Sequence, residues 1–164
     1  MPRPKIKLPY SQSEKLIQIL SFVALLGLTG LTVFSMIYLP ARIPTHFGAT
    51  GQADGWGGKG SLLMLPIMAV ILYVAITLLE RYPWIYNYAV EITEENAPYQ
   101  YKLGRQMLEG IKCIIIVIFL YLQWQTEQVA RGLSTGLGKW FMPVSMLALF
   151  GGLGFSIYKM IKHK

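Results

Sequence analysis

Charge is absent from three long stretches of this chain and from a fourth, shorter one, and that spacing decides what the chain can become. No Asp, Glu, Lys or Arg occurs between Lys15 and Arg42, between Lys59 and Glu80, or between Lys139 and Lys159. A hydrocarbon core takes ~20 apolar residues of helix. Residues 16–39, 61–79 and 140–158 therefore read as membrane spans, the first closed by Pro40. The fourth stretch, residues 113–126, is only ~21 Å of helix against a core of ~30 Å. Its helix must start near Gln106, giving a span over 106–126 that carries Glu109 and Lys112 into the membrane edge. Composition agrees: 14% of residues are charged and 54% hydrophobic, where soluble chains carry ~25% charged. That excludes a soluble enzyme, and it excludes a disordered chain, which needs low hydrophobicity.

The formal charge of +7 does not point to nucleic acid, because Lys and Arg sit beside apolar segments rather than in one patch. The lone cysteine, Cys113, offers neither a disulfide nor metal-ligand spacing. The first apolar run is too long for a signal-peptide core and lacks a small-residue cleavage site, so it is expected to be retained. Positive charge sets the orientation. With both termini in the cytoplasm, ten Lys/Arg flank the inner side and four the outer, leaving Lys112 in the membrane. Aromatic belts fit, with Tyr38, Trp124 and Trp140 outside and Tyr82, Trp84 and Tyr158 inside. Gly27, Gly30, Gly151, Gly152 and Gly154 suggest close helix packing or a cavity beside it.

The first outer loop, residues 40–60, is the most informative segment. Pro40 and Pro44 favour extended backbone before them, six glycines permit turns, and Asp54-Gly55 is a turn dipeptide. The pattern predicts an extended arm, a turn near Gly48–Gly51 and a return arm ending at Trp56, bringing Arg42, His46 and Asp54 together. The sequence Pro40-x-x-Ile43-Pro44-x-His46-Phe47-x-x-x-Gly51-x-x-Asp54-Gly55-Trp56 resembles the signature of domain of unknown function 1648, which also occurs in SdpI-like bacterial membrane proteins. Residues 87–96, with Gln100, Tyr101 and Leu103, are similar to the cytoplasmic segment of stand-alone members. The resemblance covers roughly residues 16–112 and implies a bacterial plasma-membrane protein; a relative confers immunity to a secreted toxic peptide.

Several chemistries compete for the loop. His46 and Asp54 are weak candidate metal ligands, since a tight site needs three or four. They are also candidate base and orienter for a hydroxyl nucleophile at Thr45, Thr50 or Ser61. As scaffold, Asp54 is expected to accept turn N–H groups and pair with Arg42, with His46 packed on Trp56. The same residues, Arg42, Pro44, His46, Phe47, Gly51, Asp54, Gly55 and Trp56, are candidates for ligand recognition. On the cytoplasmic loop, residues 80–105, Pro98 favours Asn96 as a helix cap. Lys102, Arg105, Glu109 and Lys112 then share one face, and the expectation is that they snorkel to headgroups, with Arg105 paired to Glu109.

The sequence thus predicts one all-α membrane domain over residues 1–164, a four-helix bundle with cytoplasmic termini and an ordered outer loop. The leading expectation is a non-enzymatic sensor or immunity-type protein recognising an extracellular peptide or envelope component. A lipid-binding or small-solute permeation protein is second, and a metal-assisted enzyme third. No cofactor and no nucleic acid are expected. Membrane lipids, an extracellular peptide, a cytoplasmic protein and a second copy of the chain are the candidate partners.

Overall fold

The structure, a computed structural model, describes residues 3–163. Four helices are long and apolar enough to cross a membrane: Gln12–Tyr38, Lys59–Leu79, Ala97–Ala130 and Phe141–Lys162. The chain is a multi-pass membrane protein, mostly helical. The all-α expectation fails in one place: residues 40–60 form an antiparallel hairpin, β1 (Arg42–Phe47) and β2 (Ala53–Gly58), because two extended arms satisfy each other's backbone groups.

Helix α1 (Gln12–Tyr38) starts at a capping box. Glu14 N–H donates to Ser11 Oγ at 3.4 Å, and Ser11 N–H donates to Glu14 Oε2 at 2.7 Å. A 3₁₀ turn (Lys59–Leu63) leads into α2 (Met64–Leu79). Helix α3 (Ala97–Ala130) begins ahead of Gln106 and absorbs the end of the loop expected over 80–105. At 34 residues it is ~51 Å long, enough to project beyond a ~30 Å core. Asn96 does occupy its cap position, yet its side chain closes the preceding turn instead, accepting from Thr93 N–H and donating to Glu91 O, both at 2.9 Å.

Helix α3 is the hub, packed against α1, α2 and α5 (Gly152–Lys162). Leu25 and Leu28 of α1, Ala69 of α2 and Ile116 of α3 make one buried apolar cluster, and Leu39, Ile43 and Leu62 make a second under the hairpin. Most other large apolar side chains face outward, as helices solvated by lipid require. The fourth span is two pieces, α4 (Phe141–Met146) and α5, joined by a π-helical turn at Leu147–Gly151. No side chain of α4 or the π turn is buried, and an apolar cleft of about 430 Å³ opens between Val117, Phe141 and their neighbours. The packing role expected of its glycines is not seen: a Cβ at Gly152 or Gly154 would meet nothing within 4 Å.

Candidate functional site

The hairpin caps one end of the bundle. β1 buries Ile43 and Pro44 and exposes Arg42, Thr45 and His46. Its register slips between Pro44 and Phe47, so that Pro44 faces Trp56 while His46 faces Gly55. Such an irregularity re-aims a side chain, and the one it re-aims is His46. His46 Nδ1 meets Asp54 Oδ1 at 2.5 Å, with both side chains open to solvent, at 71% and 53% exposure. Trp56 stands beside them, 46% exposed.

The expected roles of Asp54 are corrected here. Among the described residues its only hydrogen-bond partner is His46; it neither accepts turn N–H groups nor pairs with Arg42. The turn is closed by backbone alone, Gly48 N–H to Gln52 O at 2.9 Å and Gly51 N–H to Gly48 O at 2.8 Å. Gly51 has φ +79°, a conformation that costs L side chains steric strain. Nor does His46 pair with Trp56; strand alternation places Pro44 opposite that ring.

A second loop, residues 131–140, holds the hairpin in place. Leu137 N–H donates to Gly51 O at 2.7 Å, and Gln52 bridges Gly136. The contact is so close that a Cβ on Gly136 would collide with Gly51 O. Tyr121 of α3 donates its hydroxyl to Leu137 O at 2.8 Å, which anchors this loop in turn. Near this end Glu127 ties α3 to α1, accepting from Ser35 at 3.2 Å, and pairs with Arg131 at the end of its own helix at 2.7 Å.

Between β1, α2 and α3 lies a pocket of about 160 Å³, lined in part by Pro44, Phe47, Ser61, Gln123 and Thr126. Gln123 is 1% exposed and its Nε2 has no partner. Sequence reasoning missed this residue. Its signal was a glutamine, with Gln125 and Thr126 just beyond it, closing the charge-free stretch 113–126, where polar side chains are costly. Among the described residues no group of three or more His, Cys, Asp or Glu gathers as a metal site.

The opposite end holds a buried charged layer, and here the snorkelling expectation is overturned. Arg105 does not pair with Glu109. It is 4% exposed, and its Nε–H donates to Glu14 Oε1 at 2.7 Å. Its other nitrogens donate to Leu8 O at 2.9 Å and Pro9 O at 3.0 Å, and its guanidinium stacks 4.2 Å from the Tyr10 ring. Lys112, 1% exposed, donates to Glu80 Oε1 at 2.8 Å and Thr77 Oγ1 at 3.0 Å. Glu109, fully buried, accepts from Gln18 Nε2 at 3.0 Å. The physical reason is that α3 turns this face toward α1 and α2, so its charges find partners on other helices before they can reach headgroups. Lys102 alone stays exposed.

Residues 3–11 run under this layer as a strap. Arg3 donates to Trp84 O and Tyr86 O, and Tyr101 donates to Pro4 O at 2.9 Å. Gln100 Nε2 caps the end of α5 through Met160 O at 3.0 Å and His163 O at 2.8 Å. Burial pushes the Glu80 carboxyl above its ordinary range, against the lowering bond from Lys112. Burial likewise pushes up Tyr10, Tyr86 and Tyr88. Strap, loop 80–96 and the adjoining halves of α1 and α3 thus form one fastened layer.

Comparison with known proteins adds three findings. An uncharacterized protein of Archaeoglobus fulgidus is 40% identical over 73 residues, 40% of this chain and 39% of the relative, so the match spans about two fifths of that protein. No solved structure matches. The family model for a domain of unknown function matches from within α1, across the hairpin, into α2, so the hairpin lies wholly inside it. Over residues 21–70 the chain carries a domain of unknown function, DUF1648.

Proposed function

We propose that this is a non-enzymatic membrane sensor or immunity-type protein that recognises an extracellular peptide or envelope component through its hairpin. The observation that carries this reading is the solvent-facing His46–Asp54 pair, set beside Trp56 on a frame locked from below. A histidine–carboxylate pair offers a donor and an acceptor at once, and an exposed indole offers apolar area with a polar tip. An indole usually buries most of its surface, and the exposure of Trp56 on a rigid support suits capture of a partner. Pro44, Phe47 and the unpartnered Gln123 amide supply a neighbouring pocket of side-chain size that rewards an acceptor group. In this reading the hairpin faces outward, both termini lie in the cytoplasm by the positive-inside rule, and the membrane is the bacterial plasma membrane.

The apolar cleft between α3 and α4 favours a second reading, binding of a lipid or small apolar solute from the membrane. The two readings separate in cells challenged with the secreted peptide fraction of a producing strain. Under the first, cells expressing the parent survive, and His46→Ala or Trp56→Ala abolishes protection at unchanged membrane abundance. Equal survival of both variants and parent refutes recognition through the hairpin. Under the second, Ser145→Trp or Val117→Trp, which fills the cleft, is the change that matters.

A further inference from the structure

The buried layer holds three carboxylates, Glu14, Glu80 and Glu109, but only two cations, Arg105 and Lys112. Arg105 is committed to Glu14 and Lys112 to Glu80. Glu109 has no cation. One oxygen accepts from the Gln18 amide, and the other, Oε2, is sealed from solvent without a partner. Glu80 Oε2 is sealed and unpartnered in the same cluster, and Gln18 reaches toward both carboxylates.

We propose that Glu109 is a proton-binding site, holding one proton that balances the charge of the α1–α2–α3 layer. The groups facing it from each element are few. The strap contributes Tyr10; α1 contributes Glu14 and Gln18; α2 and the residues after it contribute Tyr73, Glu80 and Arg81; α3 contributes Arg105 and Lys112; the loop contributes Tyr86. Arg81 and Lys7, the further cations lining the adjoining groove, are both exposed. An ionised carboxylate sealed without a counter-charge is among the costliest arrangements a fold can contain. A sealed oxygen leaves no room for a metal ion with its ligand shell, whereas a proton needs none. No redox or covalent step is involved; the proton comes from and returns to water through the polar rim near Tyr10 and Glu80, where a groove of about 400 Å³ approaches the layer.

The test is infrared spectroscopy on the purified full-length protein in detergent, with glutamate carboxyls labelled by carbon-13. At neutral pH the parent should show the C=O band of a protonated carboxylic acid, shifted by the label. Glu109→Gln should lose that band and shift the Tm by less than about 3 °C, within the scale of a small perturbation for a chain of this size. Glu14→Gln and Glu80→Gln, which restore two carboxylates to two cations, should weaken the band, whereas Glu109→Asp should keep a protonated-acid band that the glutamate label no longer shifts. A band still shifted by the label in Glu109→Asp places the proton elsewhere and overturns the assignment. A parent with no such band, or a band that survives undiminished in Glu109→Gln, overturns the assignment. The parent spectrum decides even where a variant fails to fold.

Discussion

Arg105 offers the sharpest test of how this fold is fastened. Arg105→Met keeps the apolar stem and removes a guanidinium that makes three hydrogen bonds across two segments. Glu14 would then lie fully buried with Ser11 as its remaining partner, through N–H at 2.7 Å and hydroxyl at 2.6 Å. Breaking a buried pair by removing one partner costs ~3–5 kcal/mol, because the other charge is left uncompensated. The two Ser11 donors place this site near the lower bound. The carbonyl of exposed Pro9 can turn to water and adds little. Glu14→Gln leaves an amide oxygen where the carboxylate was, and losing a charged hydrogen bond costs ~1.5–3 kcal/mol. In the double variant neither charge remains, so the cost should fall short of the sum, with a coupling of ~1–3 kcal/mol. Unfolding in mixed micelles, followed by tryptophan fluorescence, measures all three. A loss below ~1 kcal/mol for Arg105→Met, where a charge-assisted bond alone should exceed that, refutes the reasoning. So does strict additivity in the double variant. Arg105→Lys adds a geometric control: it keeps the charge but lacks the fork that reaches Leu8 and Pro9, so it should free the strap while sparing Glu14.

Three further outcomes follow from the geometry. Gly136→Ala places a Cβ against Gly51 O, must push the two loops apart, and should cost ~1–3 kcal/mol with faster proteolysis of residues 131–140; unchanged Tm and cleavage would disprove the close contact. In a Cys113→Ser background, Thr50→Cys and Thr135→Cys should label with an impermeant maleimide in intact cells and Glu94→Cys only after permeabilisation; the reverse pattern inverts the proposed topology. Tyr86 and Tyr88 donate to Leu79 O and Pro83 O, both at 2.9 Å, and burial raises them above the free value. Their stabilising contribution is therefore fully present below ~10 and is lost as pH rises through the folded values. Tyrosinate absorbance should show them ionising last, together with unfolding of loop 80–96. Ionisation alongside exposed tyrosines would contradict the packing.

What could be read from the sequence follows the range of the interaction that fixes each feature. The spans were legible because exclusion of charge from lipid is a local property of a run such as 16–41. The hairpin was legible because Pro44, Gly48 and Gly51 are backbone chemistry within a few residues; the turn signal at Asp54-Gly55 misled, since both residues lie inside β2 and the turn closes at Gly48–Gln52. The capping box at Ser11 and Glu14 was equally local and went unread. Partners were another matter. The i,i+4 rule pointed Arg105 at Glu109, its neighbour on the same helix; the structure gives Arg105 to Glu14, 91 positions away. Spacing along α3 tells which residues share a face, but not what that face meets. The same limit hid Gln123 and Gln100, whose roles depend on β1 and on the end of α5. It also misassigned Asp54, where the backbone closed the turn and left the carboxylate free for His46.

Those long-range contacts give the molecule its division of labour. Helix α3 carries Gln123 and Glu127 at one end and Arg105, Glu109 and Lys112 at the other. The first group supports the hairpin and the loop fastened to it; the second holds strap, α1 and α2 in the buried charged layer. Between them, the apolar contacts of Ile116 with Leu28 and Ala69 are non-directional. They favour burial without specifying a register, and can tolerate small slides of one helix on another. Register must therefore come from the polar ends, where a one-turn shift of ~5.4 Å would break Gln18–Glu109, Glu14–Arg105 and Ser35–Glu127 together. Polar side chains are expensive inside a membrane, and fixing register is a reason for α1 and α3 to keep them at both ends. Single removal of Gln18 or Ser35 should then leave the bundle assembled, whereas removing both in an Arg105→Met background, which breaks all three α1–α3 contacts, should let α1 slip, seen as new disulfide partners when cysteines are paired along the two helices. Unchanged cysteine pairing in that triple variant would show that apolar packing alone sets the register.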